Sequence, residues 1–174
     1  SSFYNITVKK KIPVFGGLGG GTSNAATILR FLVKKRIKKK VINKLVNIVG
    51  SDLRLFSHKQ GFLKDVKTVK KFNKKFNLDF LLVYPKIRCS TKEIYSKVRN
   101  FSKKQLFVKK NHRSKTTFIH DLVNSKNDLQ LIVEKKHPII KNLLKSIRNR
   151  KGCHFARMSG SGSTCYGLFL NKSC

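Results

Sequence analysis

Hydrophobic positions change their period several times along this chain. Over residues 5–12 they alternate, Ile6 and Val8 against Thr7 and Lys9, which predicts a strand closed by Pro13. Past a glycine run at 16–21, Ala25, Ala26, Ile28, Leu29, Leu32 and Val33 recur at helical spacing. Val41, Leu45, Ile48 and Val49 predict a second amphipathic helix, with Gly50 where a helix-ending glycine belongs. Residues 61–66 read as a short strand, and 78–84 as an apolar, buried strand ended by Pro85. Ser90 and Glu93 form an S-x-x-E capping box, predicting a helix from Thr91 to about Arg99. The polar, basic, aperiodic stretch 101–115 reads as loop. Helices are predicted over 117–123, from near Ser125 through Leu129, Ile132 and Val133, and from Pro138 along Ile140, Leu143, Leu144 and Ile147. Residues 154–158 and 165–170 read as strands joined by a Ser-Gly turn. Strands and helices without regular βαβ alternation, and without an internal repeat, predict an α+β fold.

At 174 residues the chain suits one domain or two small ones, and its hydrophobic share of 40% is too high for a disordered polycation. No apolar run nears the ~18 residues of a membrane span, so no membrane association is expected. Cys89, Cys153, Cys165 and Cys174 are scattered, with no C-x-x-C pair or histidine at ligand spacing. They read as free thiols of a reducing cytoplasm, and no metal site is read from them. The first residue is Ser1, no signal-peptide pattern follows it, and the chain reads as a fragment.

Charge complicates this picture. Forty Lys+Arg stand against 7 Asp+Glu, a formal net charge of +33. Such a chain is expected to bind polyanions non-specifically, at roughly 10⁻⁴ to 10⁻⁶ M in physiological salt. The abundance of Lys, Asn, Ile and Phe also fits drift in an A/T-rich genome. The basic residues are spread along the chain, densest at 34–40 and 66–75, and no helix-turn-helix or zinc-finger signature accompanies them. Drift is the preferred reading. A basic nucleic-acid-binding protein, or an inactive truncated enzyme, is the alternative.

Three motifs carry chemistry. The first is Gly16, Gly17, Leu18, Gly19, Gly20, Gly21, Thr22, Ser23 and Asn24, set between a predicted strand and a predicted helix. Five glycines in six positions let the backbone turn tightly and approach a ligand. The unpaired amides at the head of the helix make an anion site, typically for phosphate. The Thr22 and Ser23 hydroxyls suit a phosphate oxygen or a Mg²⁺-bound water. The string is not a Walker A motif, because no lysine precedes Thr22. The second motif is Gly50-Ser51-Asp52. A carboxylate beside a phosphate site can accept the proton of an attacking hydroxyl. From sequence alone an N-cap or surface ion pair describes Asp52 better. The third is residues 156–164, with Ser159, Gly160, Ser161 and Gly162 at its centre, a small-residue loop whose amides can face an anion.

Together the GGLGGGTSNAA, GSDLRLF and ARMSGSGST strings resemble the motifs of the GHMP kinases, ATP-dependent small-molecule kinases, in that family's order. The likeness extends over residues 6–169. It implies a two-lobe α+β fold, with an N-terminal lobe (1–75, partial) like a domain of ribosomal proteins and a ferredoxin-like C-terminal lobe (76–174). It implies that residues 16–24 cradle ATP with Mg²⁺ and that Asp52 is the catalytic base. Thr91, Tyr95 and residues 159–162 would then contact the small-molecule substrate. Tyr95 fits equally a base-stacking aromatic or a core position of its helix. The implied reaction moves the γ-phosphoryl of ATP to the 2-hydroxyl of 4-diphosphocytidyl-2-C-methyl-D-erythritol, a step of non-mevalonate isoprenoid synthesis. Other family members act on galactose, homoserine or mevalonate. The family's lysine-bearing N-terminal strand and its final helix have no counterpart in this sequence.

Overall fold

A computed structural model describes residues 3–33, 38–58, 60–72, 75–102 and 114–169. The predicted loop over 101–115 and the basic tract at 34–40 fall mostly outside these residues. The described elements, in order, are α1 (Gly20–Val33), α2 (Lys39–Val49), a 3-10 helix (Ser51–Ser57), β1 (Gly61–Leu63), β2 (Val69–Lys71), β3 (Asp79–Val83), α3 (Thr91–Ser96), α4 (Lys115–Asn124), α5 (Gln130–Lys136), α6 (Pro138–Arg148), β4 (Cys153–Met158) and β5 (Cys165–Phe169). Helices and antiparallel sheets are segregated, and the fold is α+β.

The main contacts among the described elements gather into two sets. In the first, the 3-10 helix lies against α1, α2 and the β1–β2 hairpin. Gly50, at φ 115°, turns the chain out of α2 as its amide donates to the Val46 carbonyl at 2.9 Å. Leu53 is buried beneath the turn. Arg30 of α1 donates to the Phe56 carbonyl, and Arg54 donates to Asn43 Oδ1 at 2.6 Å and the Val66 carbonyl at 3.0 Å. The hairpin turn closes on Asp65, whose carboxylate accepts from the Lys67 and Thr68 amides at 2.8 and 2.7 Å. Those amides, Lys67 first, hold the carboxyl below its ordinary range.

In the second group, β5 is the centre of a three-stranded antiparallel sheet of order β3-β5-β4. The apolar stripe of α6 packs on this sheet, and α5 on α6. Ile140, Leu144 and Ile147 meet Val133, Ala156, Met158, Cys165 and Phe169 in one core, closed by Leu129, Cys89 and Ile94. Gly167 permits the close approach: a Cβ there would stand 2.6 Å from Ile147 Cγ2. Burial pushes the Cys165 thiol up to about 12, and that of Cys89 also upward.

The helical predictions hold in kind, with shifted ends. The Ser90 hydroxyl caps α3 by accepting from the Glu93 amide, but the helix stops at Ser96 instead of near Arg99. Glu93 does not close the box; its carboxylate takes the ammoniums of Lys136 at 2.5 Å and Lys97 at 2.9 Å. The helix expected near Ser125 starts at Gln130, because Asn127 and Asp128 turn their side chains to other backbone amides. Two strand predictions need correction. Residues 5–12 form no strand: nothing among the described residues pairs with them, and alternation without a ladder partner does not make a strand. The strand predicted buried at 78–84 is an edge strand, with Phe80, Leu81 and Leu82 between 43% and 57% exposed, because the core lies on the other strands of its sheet.

Candidate nucleotide site

The glycine run comes first in the chain and leans on the last loop. Phe15, Gly17 and Gly19 take positive φ values of 59°, 72° and 63°. This winds the backbone into a tight turn that enters α1 at Gly20. The turn is held from behind by the loop between β4 and β5. Thr164 donates its amide to the Gly16 carbonyl at 3.1 Å, and the Ser159 hydroxyl donates to the Gly17 carbonyl at 2.8 Å. Contact is so close that a Cβ on Gly17 would lie 2.2 Å from the Ser159 carbonyl oxygen, and one on Gly160 3.0 Å from the Gly17 carbonyl. On its remaining side the turn receives the Cys89 amide at the Phe15 carbonyl, at 3.4 Å. Gly19 abuts the Phe56 ring of the 3-10 helix.

The supporting loop is itself fixed. Asn127 donates from Nδ2 to the Met158 and Gly160 carbonyls at 2.9 and 2.8 Å, and its Oδ1 accepts from the Leu129 amide. Ser163 donates to the Ile87 carbonyl. Arg157 turns away from the loop and caps α4, donating to Ser125 Oγ and to the carbonyls of Leu122, Val123 and Ser125. The Thr164 hydroxyl is buried without a hydrogen-bond partner, next to Gly16.

In front of the turn lies a cleft of about 280 Å³, lined by residues 9–21, Asn24 and Thr91. The Thr91 hydroxyl also meets that of Ser161 at 2.9 Å, so the third motif touches the cleft through Thr91. No acid stands in the first turn of α1, and among the described residues no carboxylate lines the cleft. Lys9, Lys10 and Lys11 do. Positive charge and free helix-head amides make this a cleft for an anion.

Of the residues singled out in the sequence, Gly16, Gly17, Leu18, Gly19, Gly20, Gly21, Asn24 and Thr91 come together here. Ser159, Gly160, Ser161 and Gly162 form the layer behind. Thr22 and Ser23 sit in the first turn of α1 outside the lining. Tyr95 is 52% exposed on α3 and lines no part of the cleft; Ile94 takes the core position of that helix. Asp52 stands exposed at the head of the 3-10 helix, also outside the lining, because the neighbouring Leu53 takes the inward position. Sequence reasoning overlooked residues 9–11 and Phe15. Three consecutive lysines directly before Pro13 were a usable signal, masked by the basic composition of the whole chain.

Comparison with known proteins shows what the chain resembles. Residues 109–173 match the family described as "GHMP kinases C terminal". Over 97% of its length the chain is 36% identical to the 4-diphosphocytidyl-2-C-methyl-D-erythritol kinase of Pelagibacter ubique (strain HTCC1062), covering 60% of that protein. It is 34% identical to the kinase of the same name from Wolbachia pipientis wMel, over 94% of this chain and 59% of that one. The chain thus spans about three fifths of the length of these relatives. In fold it resembles a crystal structure of 4-(cytidine 5'-diphospho)-2C-methyl-D-erythritol kinase, with a TM-score of 0.62 and 24% identity over 92% of this chain and 59% of that one. Family match and aligned relatives converge: residues 109–173 belong to the GHMP kinase C-terminal family, and the chain as a whole is similar to the kinases named above.

Proposed function

We propose that this chain is the part of a small-molecule kinase that holds the ATP phosphates, and that the acceptor is 4-diphosphocytidyl-2-C-methyl-D-erythritol, phosphorylated at its 2-hydroxyl. One observation carries the reading: two glycine-rich loops some 140 residues apart in the chain are locked back to back by the Ser159–Gly17 hydrogen bond, presenting a helix head to a lysine-lined cleft. The names of the relatives supply the acceptor.

The amides at the head of α1 would grip phosphate oxygens, and residues 9–11 would offset their charge. Phosphoryl transfer needs little covalent help from a protein, so positioning and charge neutralisation do most of the catalysis. Thr91, braced by Ser161, would orient the acceptor. In this reading Asp52 takes the hydroxyl proton. Mg²⁺ prefers oxygen ligands with one or two carboxylates beside the phosphates. Among the described residues the cleft lining includes no carboxylate, so it does not of itself fit a resident Mg²⁺ site, and no step is derived through the ion.

Incubation with ATP, magnesium and the cytidyl acceptor should release ADP and one phosphorylated product, whereas galactose, homoserine or mevalonate should give none. Asp52→Asn should lower turnover by ~10²- to 10⁴-fold with ATP binding intact. Near-wild-type turnover in that variant would remove Asp52 from the mechanism.

A further inference from the structure

Phe15 is anomalous in its surroundings. At φ 59° it occupies the left-handed region that bulky L-residues avoid, yet it is held there on both sides. Its own carbonyl accepts from the Cys89 amide, and the next carbonyl, of Gly16, accepts from the Thr164 amide. The ring contributes nothing to the core. It is 53% exposed and makes no ring contact among the described residues. Glycine would satisfy the backbone at this position without strain. What Phe15 does have is a place on the lining of the cleft, next to the glycine turn and on the same lining as residues 9–11.

An exposed aromatic face beside a phosphate-binding turn is the arrangement that a nucleotide requires. Phosphates are taken by amides and ammoniums, and the base by a flat apolar surface. We propose that Phe15 is a base-stacking residue, its ring the platform for the base of the nucleotide whose phosphates occupy the turn at Gly19 and Gly20. This rests on the nucleotide reading above and assigns the base an anchor within that cleft. Strain at a ligand-contacting position fits such a role, since an over-determined turn can hold a side chain where a free chain would not.

The test is calorimetric titration of the 174-residue chain with ATP, CDP and inorganic tripolyphosphate. Phe15→Gly removes the ring and relieves the backbone, so it should fold at least as well as the parent. It should bind ATP at least about fivefold more weakly, since base stacking on an aromatic is worth that much or more, while tripolyphosphate affinity stays unchanged. Phe15→Leu, which keeps bulk without a π face, should lose ATP affinity likewise, and Phe15→Tyr should restore it. Unchanged ATP affinity in Phe15→Gly overturns the assignment while leaving the phosphate site standing. Loss confined to CDP overturns it too, by moving the ring to a different nucleotide. If the parent chain binds neither ATP nor tripolyphosphate, the nucleotide reading itself fails, and the stacking role with it.

Discussion

Two glycines four positions apart should respond oppositely to the same methyl group. At Gly17 a Cβ would strike the Ser159 carbonyl, at 2.2 Å, on a backbone already at φ 72°. Gly17→Ala should therefore cost about 3 kcal/mol, the sum of strained φ and forced contact, and thermal melts would show it. At Gly21, inside the first turn of α1, nothing lies within 4 Å of the added carbon. Gly21→Ala should stabilise the chain by about 0.5–1 kcal/mol yet weaken ATP, because the open space is where phosphate would approach. A variant that is both more stable and equally good at binding ATP would mean that the phosphates sit elsewhere. These residues were legible in sequence as a site, though not in their division of labour. Glycine spacing announces a turn; which face meets protein and which meets ligand depends on a partner loop some 140 residues away. Arg157 shows the converse. It sits within a site motif, yet its guanidinium serves α4.

Among the elements, the tie between α3 and α5 rests on Glu93. Lys136, then Lys97, hold its carboxyl from an ordinary value of 4.5 down to about 2. The folded state therefore binds this proton less readily than the unfolded chain. The contribution is complete above pH 4.5 and is lost as pH falls from 4.5 through 2. Glu93→Gln should lower stability near neutrality and flatten its decline across that acid window, as denaturant melts at stepped pH would report; an unaltered pH profile would contradict the tie. Helices were the legible elements because each carries its own period and caps, as Ser90 and Pro138 show. Strands were less so. Residues 5–12 alternate correctly but have no described partner, and β3 is apolar from Phe80 to Val83 although it lies at an edge. Pairing is a property of two segments, and a single segment's pattern does not contain it.

For the molecule as a whole, a formal charge of +33 makes any anion attractive, so mere binding of ATP would prove little. What separates a built site from a general polycation is location and saturation. The glycine turn, the lysines at 9–11 and the head of α1 converge on one cleft, with the second glycine loop braced behind the turn. The most direct measurement is therefore an amide NMR titration with ATP at salt high enough to screen diffuse charge. Saturable shifts confined to the amides of Gly19, Gly20, Gly21 and Thr22, with echoes at Ser159 and Gly160, are the predicted result. Shifts scattered over the lysine-bearing surface, growing without saturation and vanishing with salt, would contradict it.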